Sequence, residues 1–164
     1  MRISGIHYET FDSDHWIRRS DDLRIRRGTS RASIKRVIDV RAIHLSRKKG
    51  FSKNQLNDFL LAHGIDYVHL KGLGDPKPGR EAARAGKFAL FEKIYGKHIA
   101  SEAAVEALEL AASYIEKANA CLMCFEAEHE KCHRSIVADH LKEMTGYPVV
   151  NLEVREQAKG RIAA

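Results

Sequence analysis

The sequence predicts an α/β fold: one domain over residues 1–164, with a mainly parallel sheet of about five strands and helices on both faces, in a Rossmann-like three-layer arrangement. Two observations carry this. Short runs rich in β-branched residues alternate with longer stretches of helical periodicity, the order that builds parallel sheets through helical crossovers. One of those runs, Val37, Ile38 and Val40, is apolar on both faces, as a strand covered on both sides requires. At 164 residues and 44% hydrophobic, the chain suits one ordinary core without disulfide support.

Taken in order, residues 3–8 form a short first strand and 36–43 a second. Between them, residues 10–36 are polar and arginine-rich, with Gly28-Thr29-Ser30 breaking helical periodicity, and they read as a divergent basic segment. After a basic loop at 45–50, Ser52 and Gln55 make a capping-box pattern, with Phe51 and Leu56 placed for a hydrophobic staple. Leu56, Phe59 and Leu60 give the helix its apolar stripe, and Gly64 stops it. Residues 65–70 are a third strand, closed by a glycine–proline loop at 71–76. Helices follow at 80–95, with Phe88, Phe91, Ile94 and Tyr95 inward, and at 101–117, with Val105, Leu108, Ala112 and Ile115 inward. Residues 121–126 are the most apolar strand and so the expected centre of the sheet. A helix from about Cys132 to Met144 buries Ile136, Val137, His140, Leu141 and Met144, a strand runs over 149–154, and 157–164 is a tail.

The net charge of +6 is concentrated. Residues 18–36 hold eight basic and two acidic residues, leaving 20 of each in the remainder. Such a segment is an electrostatic footprint for nucleic acid or a solvated face. No aromatic interrupts Arg18 to Arg36, so base stacking is disfavoured. No apolar run approaches the roughly 18 residues of a membrane helix, and no membrane partner is expected. Three cysteines, with no leader pattern at the N-terminus, point to a reducing cytoplasm.

Chemistry gathers in residues 122–134, LMCFEAEHEKCHR. Along a strand Cys121 and Cys124 fall on opposite faces, which argues against a C-x-x-C metal knuckle. Cys121 reads as a core thiol, and Cys124 as either core or ligand. Cys132 lies at a helix start, where backbone N–H groups and adjacent His133 and Arg134 are expected to lower its pKa. Arg134 itself opposes the helix dipole, a placement that an anionic ligand would explain. Three readings stand side by side. Cys132, His133 and Glu126 can supply nucleophile or proton transfer; Cys124, His129, Cys132 and His133 can supply metal ligands; and the group can be purely structural. A tyrosine-phosphatase loop is excluded, because the sixth residue after Cys132 is Ala138.

VIDVRAIHLSRKKGFSK, GIDYVHLKGLGDPK and CLMCFEAEHEKCHRSIVADHL, over about residues 37–152, resemble the bacterial family called domain of unknown function 488. The resemblance implies one α/β domain with family positions at Asp39, Arg41, Ser46, Arg47, Phe51, Ser52, His69, Leu73, Gly74, Cys124, Glu126, Cys132, His133 and Arg134. It implies no activity. The family opens with Ile-Gly-Tyr-Glu and a regular amphipathic helix, whereas this chain has Ile6-His7-Tyr8-Glu9 and the irregular 10–36 segment.

Ligands in parallel sheets collect beyond the carboxyl ends of the strands. That rim gathers Tyr8, Asp39, Arg41, Ser46, Arg47, His69 and Arg134 as ligand-binding candidates around Cys132, His133 and Glu126. The expected ligand is a small phosphate- or nucleotide-like anion; the alternatives are nucleic acid on residues 18–36, or a metal-stabilised interaction domain. Whether the chain is an enzyme, which cofactor it takes and how it assembles are not readable from the sequence.

Overall fold

Strand β2 (Arg36–Asp39) and strand β4 (Ala120–Met123) lie side by side and organise the described part of the chain. The computed structural model describes residues 6–9, 34–45, 50, 52–124 and 132–152. Strands β1 (Ile6–Glu9), β3 (Asp66–His69) and β5 (Val149–Leu152) complete a sheet of order β3-β2-β4-β1-β5, in which every pairing is parallel. The α/β class and the parallel sheet are those expected from the sequence, and β4, the most apolar strand, is the central one. The tail, most of the basic segment, Ser46, Arg47, Phe51, Glu126 and His129 lie outside the described residues.

Burial alternates along the strands. Ile38, Val40, Leu122 and Cys124 enter one cluster with residues of α3 (Phe88–Ile99), α4 (Glu102–Lys117) and α5 (His133–Thr145). Val37 and Met123 enter another with Leu56 and Leu60 of α1 (Lys53–Ala62). This is the period-two pattern of a sheet with apolar partners on both sides.

Several local expectations are corrected. The second strand ends at Asp39 instead of running to residue 43, and Ile43 is exposed. The Asp39 carboxylate accepts the backbone N–H of Arg41 at 3.0 Å, a side-chain turn that takes the chain out of the ladder after Val40. At α1, Gln55 Oε1 accepts from the backbone N–H of Gly50 at 2.9 Å, and Ser52 makes no side-chain cap bond, so the capping box is not formed as drawn. Gly64 closes this helix with φ +71°, as expected.

The helix expected over 80–95 is two helices, α2 (Lys77–Arg84) and α3, separated at Gly86 with φ +70°. Phe88 therefore starts a new helix and is exposed. In α4 the buried face is Ala104, Ala107, Leu108, Ala111 and Ile115, while Val105 is exposed. Close approach decides that phase: a Cβ on Gly72 would lie 2.5 Å from the Ala103 carbonyl oxygen, so the small side of α4 faces the turn at Lys71–Leu73. Met144, at the end of α5, is also exposed. Among the described residues no helix is long and apolar enough to cross a membrane.

Candidate functional site

The carboxyl ends of β2, β3 and β4 meet the start of α5 and the turn at Lys71–Leu73. Two polar groups form there, and they differ in kind.

The first group fixes the end of β2. Arg41 Nε donates to Asp39 Oδ1 at 2.8 Å and Arg41 Nη2 to Oδ2 at 2.6 Å, with both residues buried. Tyr67, from β3, donates its hydroxyl to Asp39 Oδ2 at 2.5 Å. His69 Nε2 donates to the Arg41 carbonyl at 2.8 Å, and the His44 ring meets His69 edge-on at 5.2 Å. Burial opposes the Arg41 charge, and the Asp39 carboxylate more than offsets it, so the guanidinium stays ionised. Burial, then Asp39, push the Tyr67 hydroxyl well above its ordinary range. The sequence places Asp39, Arg41 and His69 among ligand-binding candidates; the structure ties the three to one another through buried pairing and backbone contacts.

The second group is the cysteine–histidine cluster. Cys132 is the N-cap residue of α5 with extended backbone, φ −123° and ψ 142°. His133 and Arg134 follow in the first turn, and Cys124 arrives one residue past the end of β4. All four are buried, with Arg134 at 0% exposure. His133 Nε2 lies 2.9 Å from the Val40 carbonyl oxygen. A carbonyl only accepts, so Nε2 carries the proton and neutral His133 presents its lone pair at Nδ1. Nδ1 is 3.7 Å from Cys124 Sγ and 3.8 Å from Cys132 Sγ. Cys124 Sγ is 3.8 Å from Nε2 as well, so it flanks the imidazole instead of lying in line with Nδ1.

The lowered thiol pKa expected of Cys132 is overturned. A hydrogen bond with Cys124 and then burial push the Cys132 thiol well up, and the charge and backbone N–H of Arg134 only oppose this. The helix start does favour the thiolate, but a neighbouring sulfur inside the core dominates. For His133, burial favours the neutral ring, while Cys124, the Val40 carbonyl and Asp75 outweigh it and raise the pKa.

Three lining residues escape sequence reasoning. Tyr95 packs its ring 5.2 Å from that of His133 and donates its hydroxyl to the Leu73 carbonyl at 2.6 Å. His98 Nε2 donates to the Gly72 carbonyl at 2.9 Å, which helps fix the same turn. Asp75 is buried, burial raises its pKa, and His133 and Arg80 pull it back down. Among the described residues its Oδ1 has no hydrogen-bond partner. Gly79 leaves the space for this carboxylate, since a Cβ there would lie 2.1 Å from Oδ1. The only sequence signal was Asp75 following Gly74 and preceding Pro76 at a helix start.

Of the candidates, the structure brings Cys124, Cys132, His133 and Arg134 together and sets Asp39, Arg41 and His69 beside them on the same rim. Tyr8 falls on β1. The fold and cluster define a class: an α/β protein with buried sulfur, imidazole and guanidinium where strand ends meet a helix start. A family model described as Domain of unknown function DUF488 matches residues 24–141. That is 118 of the 164 residues, and the chain belongs to this family. The match starts inside the basic segment and stops before β5, against the 37–152 span of the resemblance. No curated protein and no solved structure matches the chain.

Proposed function

We propose that this chain binds a small anionic ligand of phosphate or nucleotide type at the rim formed by Cys132, His133 and Arg134, and acts on it as an enzyme. The observation that carries this is the full burial of the Arg134 guanidinium in the first turn of α5. A cation there opposes the helix dipole, so helix stability does not account for it, whereas an anion would be held by the guanidinium and the helix N–H groups together. Arg41 plays a different part in this reading. Its charge is matched by Asp39, and the pair shapes the rim, with Tyr67 and His69 as braces.

In this proposal His133 relays a proton at Nδ1, Cys132 or Glu126 completes the transfer, and Ser46, Arg47 and Tyr8 extend the ligand contacts. The chain is one domain of three layers working in a reducing cytoplasm, which suits three unbridged cysteines.

The test is ligand-dependent thermal stability at low ionic strength with inorganic phosphate, pyrophosphate and nucleoside mono- and triphosphates. At least one of them is expected to raise the melting temperature of the wild type, and Arg134→Gln to abolish that rise while Arg41→Met keeps it. Arg134→Lys, which retains the charge, separates ligand loss from misfolding by keeping part of the rise. If no compound stabilises the wild type at millimolar concentration, the proposal is wrong.

A further inference from the structure

We propose that Cys124 Sγ, Cys132 Sγ and His133 Nδ1 form a three-ligand site for a soft divalent metal of the zinc class, whose fourth position takes water or the anion of the proposed function. It deepens that reading by giving the rim an electrophile, in place of the proton relay at His133 Nδ1 and Cys132, and in this respect rests on it; the metal site itself stands on its own geometry.

The three donor atoms lie within 4.8 Å of one another, and all three residues are buried. Their spacings can be compared with a coordination sphere. For bonds of about 2.3 Å to sulfur and about 2.0–2.1 Å to nitrogen, a tetrahedron has a sulfur–nitrogen edge of about 3.6 Å and a sulfur–sulfur edge of about 3.8 Å. The observed edges from His133 Nδ1 are 3.7 and 3.8 Å. The donor separations are therefore near those of a ligand set, and because Cys124 Sγ flanks the ring at 3.7 Å from Nδ1 and 3.8 Å from Nε2, binding an ion requires that thiol to turn toward the Nδ1 lone pair.

The outer contacts fit too. Metal-bound histidines characteristically donate their second ring N–H to a carbonyl or carboxylate, which fixes tautomer and orientation. Here His133 Nε2 does so to Val40, one residue past the end of β2, which pairs with the strand that leads to Cys124. Two sulfurs and one imidazole select zinc over magnesium or calcium, which prefer oxygen.

The charge and proton balance close. Binding a divalent cation to two thiols and a neutral imidazole forms two metal–sulfur bonds and one metal–nitrogen bond, and releases two protons to solvent. The metal with its two thiolates is then neutral, and Arg134 lies buried in the first turn of the helix that Cys132 caps. Asp75 is buried, and its Oδ1 has no hydrogen-bond partner among the described residues. Cys121 is buried but outside the cluster, its Sγ directed at the Leu122 carbonyl, and it serves as an internal control.

The experiment uses the full chain, purified without a histidine tag, reduced, stripped with chelator and titrated with cobalt(II) alone. One cobalt per chain is expected, with the visible bands of a tetrahedral ion and the near-ultraviolet charge transfer of bound thiolates, all abolished by zinc. Cys124→Ser and Cys132→Ser each lower the charge transfer, while Cys121→Ser leaves it unchanged. Where a serine variant fails to fold, wild-type protein decides: zinc protects Cys124 and Cys132, but not Cys121, from alkylation in mild denaturant. Weak octahedral cobalt bands, or equal protection of all three cysteines, would overturn the metal site. Phosphate-induced stabilisation is measured separately on chelated and zinc-loaded protein. Its survival in the absence of a metal site leaves the anion reading standing, and its absence in both forms with a cobalt site intact removes only the anion.

Discussion

Replacing Asp39 with alanine tests the division of labour on the rim. Asp39 is 0% exposed and Arg41 is 4% exposed, so the pair is desolvated and its attraction is little screened. The carboxylate accepts from Arg41 Nε and Nη2, from the Arg41 backbone N–H and from the Tyr67 hydroxyl. Removing it leaves a buried guanidinium without its counter-charge, a change that costs about 3–5 kcal/mol. For a domain of this size each kcal/mol corresponds to about 2–4 °C in melting temperature, so a fall of about 6–20 °C is expected. Urea unfolding followed by far-ultraviolet circular dichroism measures it. Asp39→Leu combined with Arg41→Met removes both charges, and is expected to recover much of the loss, because an apolar pair of similar volume often replaces a buried ion pair at little cost. The two single losses therefore do not add. A loss below about 1 kcal/mol for Asp39→Ala, or a double variant as unstable as the summed singles, would refute the view that this pair is a mutually dependent brace.

Other perturbations follow from the same geometry. A Cβ on Gly74 would lie 2.3 Å from Ala42 Cα, so Gly74→Ala is expected to cost about 1–3 kcal/mol by overpacking; Gly96→Ala, in α3 with open space around it, is expected to gain about 0.5–1 kcal/mol. The two midpoints in urea are compared directly. Because the Tyr67 pKa is raised in the folded chain above its ordinary 10.0, its contribution to stability is fully present below that value and is lost as pH rises through the folded value. Tyr67→Phe is therefore expected to unfold less steeply in alkali than wild type, as read by circular dichroism, and an unchanged alkaline slope refutes this. The raised pKa of Asp75 has the same sign: its contribution is present below the ordinary 3.8 and is lost as pH rises through the folded value. Asp75→Asn in metal-free protein is expected to be at least as stable as wild type at neutral pH, with the difference closing toward acid.

How much of this was legible in sequence depends on the range of the interaction. Strand positions, the central place of β4, the stop at Gly64 and the helix start at Cys132 all follow from local composition and periodicity. Helix phase was less legible where residues are small: in α4 the alanine face packs against the Gly72 turn, and Val105, the more hydrophobic residue, is left outside. A periodicity weighted by hydrophobicity cannot anticipate a preference set by close approach. The site shows the same division. That Cys132-His133-Arg134 begins a helix is local, but His133 is oriented by Val40, 93 residues earlier in the chain. The Cys132 thiol responds more to Cys124 than to its own helix.

This last contrast bears on what the cluster is for. A thiol meant to attack a substrate gains from a helix N-terminus and a neighbouring cation, because both favour the thiolate. Here both are present and both are outweighed by a second thiol and by burial. Two neighbouring thiols hinder each other's ionisation, since like charges in a dry site repel. A divalent cation between them would remove that obstacle and convert the repulsion into coordination. On these grounds the role proposed for the sulfurs is that of ligands and not of nucleophiles.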